Sequence, residues 1–272
     1  MRLTVRHTTR YRFKEPVIHA LQRVRLTPKK TQGQAIINWT TDYDNANVEL
    51  EYDDQNFNHT VLISVKSGAT EVAVSCNGVV ETSDQAGVIG RHSGHLPIWA
   101  FLGQTRLTRP GPEMRKLIRT FEGRGEDKAV ERLHALSAAV LEGVAYTKGA
   151  TVATTTAEDA VKHRTGVCQD HAHIFIGAAR ELGHPARYVS GYLMMNDRIE
   201  QEASHAWAEA HVDGLGWVGF DVSNGISPDA RYVRVATGRD YREAAPITGI
   251  TFGGSEEELE VDLAVEQQSV QQ

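Results

Sequence analysis

Cysteine is almost missing from this chain of 272 residues, which carries only Cys76 and Cys168. Two cysteines exclude a disulfide framework and a zinc cage built from thiolates. Long apolar runs are missing too, and no stretch approaches the roughly 18 residues needed to cross a bilayer. Lys and Arg form no dense cluster, and the formal net charge of −6 offers nothing to a nucleic acid or an anionic membrane. The opening residues, Met1-Arg2-Leu3-Thr4-Val5-Arg6-His7, alternate like a strand and contain no apolar signal core, so a cytosolic location is expected. No internal repeat is visible. The glycines from Gly87 to Gly94 are followed by no phosphate-loop pattern, so no nucleotide site is expected.

What the chain does contain is an ordinary soluble composition, 40% hydrophobic and 24% charged, over enough length for one large domain or two smaller ones. Residues 1 to about 100 read as antiparallel β. Short alternating runs around residues 3–7, 23–27, 35–39, 48–52 and 61–65 are separated by Gly, Asn and Asp clusters. Residues 101–264 change character. Helices are expected over about Glu113 to Phe121 and Asp127 to Leu141, and another begins at Cys168. Strands follow at about Ala186 to Met194, Ser204 to Val212 and Gly216 to Val222, with two or three more between Arg231 and Ala264. Residues 265–272 look like a frayed polar tail. The expected class is α+β, a β domain followed by helices and an antiparallel sheet.

Cys76 lies in the β-like run Glu71 to Gly78 and reads as a buried strand thiol. Cys168 differs. Gly166-Val167 leads into it, and Ala172, Phe175, Ile176, Ala179 and Leu182 recur after it at helical spacing until Gly183 and Pro185 end the pattern. The thiol therefore falls in the first turn of a helix, where unpaired N–H groups and the helix dipole favour the reactive thiolate. The competing reading is a small buried hydrophobe.

A nucleophilic thiol needs a base, and the base needs an orienting acceptor. His205 fits the first role. In a strand it shares a face with Trp207, Glu209 and His211, which reads as a cleft, while Ala206, Ala208, Ala210 and Val212 read as close packing against a helix. Asp221, beyond the turn Asp213-Gly214-Leu215-Gly216, fits the second. It reaches the face of His205 only through a three-residue loop or a bulge, and its competing role is to start the turn Val222-Ser223-Asn224-Gly225. Metal chemistry is disfavoured. His171 and His173 point about 200° apart on a helix, and His205 and His211 lie about 20 Å apart along a strand. Asp170 is explained by the helix dipole.

The runs Gly166-Val167-Cys168-Gln169-Asp170, Ala186 to Leu193, Ser204-His205-Ala206-Trp207 and Gly216 to Asp221 resemble the bacterial transglutaminase-like proteins. These belong to the wider superfamily of transglutaminases and papain-like cysteine proteases. The likeness extends to Val235 to Tyr241 and Ala245-Pro246, and Arg25-Leu26-Thr27-Pro28 is similar to a recurrent feature of the family's N-terminal region. It implies a papain-like core, with a cysteine-bearing helix packed on an antiparallel sheet, and places the nucleophile, histidine and aspartate on Cys168, His205 and Asp221. Two positions depart from the family's pattern: His171 stands where an aromatic is expected, and Val222 where Pro is typical.

The expected chemistry is cysteine-dependent acyl transfer on an amide of a peptide or protein substrate, through a thioester. Hydrolysis by a peptidase or amidase is favoured, because water needs no second binding site. A protein-glutamine transglutaminase and a non-catalytic peptide-binding module are the alternatives. The Cys168 backbone N–H is the natural first oxyanion donor, with Tyr146, Gln169 and Trp207 as candidates for the second. No metal or organic cofactor is implied.

Overall fold

The computed structural model describes residues 1–123, 128–201, 203–252 and 257–268. Its N-terminal strands are β1 (Arg2–Phe13), β2 (His19–Val24), β3 (Gln34–Asp44), β4 (Ala46–Asp53), β5 (His59–Val65), β6 (Glu71–Thr82) and β7 (Val88–Gly90). A 3₁₀ turn at Ile98–Leu102 leads to α1 (Pro112–Arg119), α2 (Ala129–Gly143), β8 (Ala145–Tyr146), α3 (Ala157–His163), β9 (Thr165–Gly166) and α4 (Cys168–Glu181). Then come β10 (Ala186–Leu193), β11 (Glu200–Gln201), β12 (His205–Val212), β13 (Gly216–Phe220) and β14 (Tyr232–Gly238). The described chain ends with α5 (Tyr241–Ala244), β15 (Ile247–Phe252) and β16 (Glu257–Gln267).

Alternation in the sequence decides how the β region packs. In β1 the odd positions Leu3, Val5, His7 and Thr9 are buried, while Arg6 and Arg10 face out and pair with Glu266 and Glu260 of β16. The buried face of the sheet β11-β16-β1-β6-β3 serves two partners. Phe13, Val72, Val74 and Cys76 pack on Ala20, Val24, Ile63 and Val65 of the sheet β15-β2-β5-β4, forming a sandwich core. Further along the same face, Leu3, Val5, Val80, Leu263 and Val265 join the core of the helical half. His7 crosses that junction and bonds to the Tyr192 hydroxyl at 2.9 Å.

The second half is the mixed layer that the resemblance implied. A five-stranded antiparallel sheet, β14-β10-β12-β13-β7, carries α4 on one face. Ala206, Ala208 and Ala210 of β12 are buried in one core with Ala172, Phe175, Ile176 and Ala179 of α4. Small side chains on the strand let the helix lie close, so the Ala-rich face packs as expected.

Four sequence expectations need correction. β15 and β16, assigned to residues 101–264, return to the N-terminal half and pair there with β2 and β1. The polar tail does not start at 265, because β16 runs through Gln267 and Val265 is fully buried opposite Val5. Residues 269–272 lie outside the described residues. The run at 23–27 is strand only to Val24. Beyond it, Arg25 leaves the sheet to bond Asp54 at 3.2 Å and the Ala245 carbonyl at 3.4 Å, so the Arg25 to Pro28 feature is a joint between the two halves. Helix α3 was not expected, although Thr156 and Asp159 form a capping box at its start. Of the second expected helix, Asp127 lies outside the described residues, and α2 begins at Ala129.

Candidate active site

Cys168 is the first residue of α4, which starts with no side-chain oxygen at its cap residue, Val167. Asp170 closes that end instead. Its carboxylate accepts the Val167 N–H at 2.9 Å and the Thr151 hydroxyl at 2.6 Å, which also draws the 147–155 loop against the helix. Gly166 makes room for this, because a Cβ there would meet the Asp170 Cβ at 2.8 Å. The Gly166 to Asp170 run is thus one device that fixes the thiol at a helix start. Burial pushes the Asp170 carboxyl pKa up, against the hydrogen bonds from Thr151 and Val167. Cys168 itself is half-buried, whereas Cys76 is buried and its thiol is pushed up to about 12 by that burial.

The β12–β13 hairpin supplies the partners. Val212 pairs with Gly216, which leaves a three-residue loop, Asp213 to Leu215, with Gly214 at φ +83°. Ala208 pairs with Phe220 in this register, so Asp221 falls opposite Trp207 and on the face of His205. The His205 Nε2 lies 2.6 Å from Asp221 Oδ2. Cys168 acts on the same ring and helps to raise its pKa. Burial lowers the imidazole pKa, but Asp221 and Cys168 outweigh it and raise it to about 10. The structure therefore brings Cys168, His205 and Asp221 together.

Asp221 is fully buried and held from several sides. Asn224 donates to it from its side chain at 2.7 Å and from its backbone at 3.3 Å, and Tyr232 donates its hydroxyl at 2.7 Å. Burial pushes its carboxyl pKa up, but His205 first, then Asn224 and Tyr232, hold it below the ordinary value. The two roles weighed for Asp221 are both present, since it starts the turn through Asn224 and receives the imidazole. Asn224 and Tyr232 were not foreseen. Asn224 had a local signal in the turn sequence, whereas Tyr232 reaches Asp221 from the start of β14 and had none.

The other polar residues resolve differently from expectation. The Trp207 and Glu209 face of β12 is not an open cleft, for both residues are buried. Glu209 is ion-paired to Arg187 at 2.6 Å and Arg234 at 2.5 Å, and Gln34 of the N-terminal half bonds the Arg234 backbone on both sides. Trp207 stacks on His205 with ring centroids 6.2 Å apart and meets Tyr232 edge-on at 5.4 Å. His171 is fully buried, its Nδ1 at 2.9 Å from the Ser223 hydroxyl and its Nε2 at 2.9 Å from the Val144 carbonyl. It thereby ties α4 to the turn that carries Asn224. His173 points elsewhere and accepts the Tyr241 N–H at 3.1 Å. Among the described residues, no three His, Cys, Asp or Glu are grouped to hold a metal ion.

A helix-borne cysteine set near a histidine and an aspartate on a neighbouring antiparallel hairpin fits the transglutaminase-like resemblance. Family comparison agrees, matching residues 115–222 to the core of the transglutaminase-like superfamily and residues 3–81 to the bacterial transglutaminase-like N-terminal region. The chain belongs to this family. An uncharacterized protein of Mycobacterium leprae is 29% identical, covering 97% of this chain and 98% of its own. Uncharacterized proteins of Mycobacterium bovis and Mycobacterium tuberculosis are 26% identical over 97% of this chain and 92% of theirs. A crystal structure from Cytophaga hutchinsonii, described as a candidate cysteine protease, shares the fold with a TM-score of 0.73 at 22% identity over 98% of each chain. No helix among the described residues is long and apolar enough to cross a membrane.

Proposed function

We propose that the protein catalyses acyl transfer from amide bonds, with Cys168 as nucleophile, His205 as general base and acid, and Asp221 as the acceptor that orients the imidazole. One observation carries this reading. The His205 ring is bonded to a fully buried carboxylate, and its pKa is raised by that carboxylate and by the Cys168 thiol at a helix N-terminus. The arrangement matches the needs of covalent catalysis, in which a base activates the nucleophile and a third group fixes the base.

In the first half-reaction the Cys168 sulfur bonds to the amide carbon, and the C–N bond breaks. The proton held by His205 goes to the departing amine, and a thioester remains on Cys168. In the second half, water gives a proton to His205 and attacks the thioester carbon, releasing a carboxylic acid and restoring the thiol. Water is the favoured acceptor because it requires no further binding site. A primary amine in its place would make the protein a transglutaminase acting on the same thioester. The substrate is a peptide or protein amide, and the proposed setting is cytosolic.

The test is turnover of a peptide and amide library by the full chain, with and without a fluorescent primary amine. Cys168→Ala is expected to abolish turnover. Free acid as the sole product supports hydrolysis, and amine incorporation assigns amine transfer. Full activity in Cys168→Ala would end the acyl-transfer reading, and slow binding of peptides without any turnover would favour a binding module.

A further inference from the structure

β14 is an outer strand of the sheet that carries His205, so one edge of its backbone has no strand to pair with. The N-terminal half fills that edge with side-chain amides. Gln34 accepts the Arg234 N–H at 2.7 Å and donates to the Arg234 carbonyl at 2.8 Å. Asn58 treats Thr237 in the same way, with both bonds at 2.8 Å. Each amide thereby makes the two bonds that a neighbouring strand would supply. A bulge explains why the two clamps are three residues apart. Gly191 of β10 pairs with Arg234 and Ser190 with Ala236, so Val235 is an extra residue that turns both Arg234 and Thr237 outward.

Both amides are fixed by their own surroundings. Gln34 is buried, and its Nε2 also donates to the Lys29 carbonyl at 2.6 Å. Lys29 in turn gives its backbone N–H to the Arg234 carbonyl at 3.0 Å. Asn58 is buried too, donating to Asp54 at 2.9 Å and accepting from the Lys29 side chain at 2.9 Å. Gln34 is the clamp nearer the site. Arg234 lies two residues beyond Tyr232, the first residue of β14, whose hydroxyl donates to Asp221 at 2.7 Å. The Arg234 guanidinium also holds Glu209 on β12, the strand that begins at His205. One short stretch of strand therefore joins the Gln34 amide to the carboxylate that orients the imidazole.

We propose that Gln34 is a positioning residue of the acyl-transfer site, through which the N-terminal half holds β14 so that Tyr232 stays on Asp221. The inference rests on the acyl-transfer reading, in which Asp221 and His205 keep Cys168 as thiolate. Gln34 touches no reacting atom. Without its amide the Arg234 backbone loses both outward bonds to the side chain, and backbone bonded only to water opens more readily. The start of β14 then shifts, Tyr232 draws away from Asp221, and the hold of Asp221 on His205 weakens. The imidazolium is less stabilised, so Cys168 keeps its proton to higher pH.

Alkylation of Cys168 by iodoacetamide in the full chain, followed across neutral pH, tests this. Gln34→Met is expected to slow labelling at neutral pH by about 10-fold, the scale of a residue that acts through a packed network. The pH midpoint of labelling should move upward with it. Gln34→Asn keeps the amide but withdraws it by one methylene, and an intermediate rate is expected. Tyr232→Phe should slow labelling by a similar factor. Adding Gln34→Met to it should change the rate no further, because the two residues act in series. Wild-type labelling in folded Gln34→Met would overturn the proposal. An undiminished further slowing in the Tyr232→Phe background would also overturn it, by showing that Gln34 only loosens the junction. Should Gln34→Met fail to fold, the same comparison made with Gln34→Asn decides. If wild-type Cys168 is labelled no faster than Cys76, the acyl-transfer reading fails and the Gln34 role fails with it.

Discussion

Glu209→Gln replaces a fully buried carboxylate that lies between Arg187 and Arg234, with Arg187 also stacked 3.8 Å over the Trp217 ring. Burial alone would raise the Glu209 pKa, but the two guanidinium groups outweigh it and lower it from 4.5 to about 2. A gap of that size corresponds to about 3 kcal/mol of folding stability. The sign follows from linkage: the folded pKa is depressed, so the contribution is present above pH 4.5 and is lost as pH falls through about 2. Removing the charge by mutation also strands two buried cations side by side, and breaking a buried ionic cluster costs about 3–5 kcal/mol. The two routes agree. Urea unfolding of Glu209→Gln at neutral pH should therefore show a loss of about 3 kcal/mol, with a midpoint temperature lower by about 10 °C. A loss under about 1 kcal/mol, the worth of an exposed pair, would refute this account of the buried trio. Abolished amide turnover in a variant of wild-type stability would instead return Glu209 to the cleft role that its strand position suggested.

Asp221→Asn removes the acceptor that keeps the His205 imidazole charged, so turnover should fall by about 10⁴-fold while a small residue persists. His205 has its pKa raised from 6.5 to about 10, so the stabilising contact is complete below 6.5 and fades as pH rises through about 10. Wild-type stability measured across that alkaline window should decline more steeply than that of Asp221→Asn. His171→Phe restores the aromatic expected at this position and leaves the Val144 carbonyl and the Ser223 hydroxyl without their partner. Thermal unfolding should show a loss of about 1–3 kcal/mol, the cost of unsatisfied buried polar groups. Wild-type stability in that variant would contradict the bridging role of His171.

Much of the site was legible because its parts are local. Cys168 announced itself through the glycine before it and the helical period after it. The hairpin arithmetic gave His205 and Asp221 one face on condition of a three-residue loop, and the loop is there. Less local features were not legible. Trp207 and Glu209 alternate with an apolar face as cleft residues would, but what covers them comes from β10, β14 and Gln34, far away in sequence. The same limit hid the return of β15 and β16 to the first sheets, since alternation tells that a segment is a strand and not which strand it joins. Tyr232 and its bond to Asp221 belong to this group as well.

The central claim is that His205 activates Cys168, and alkylation by iodoacetamide near pH 7 tests it most directly. Cys76 serves as an internal standard, being buried with its thiol pushed up to about 12. Cys168 should be labelled much faster than Cys76, and His205→Ala should remove most of that advantage. Equal, slow labelling of both cysteines, or a Cys168 rate that is indifferent to His205, would contradict the account.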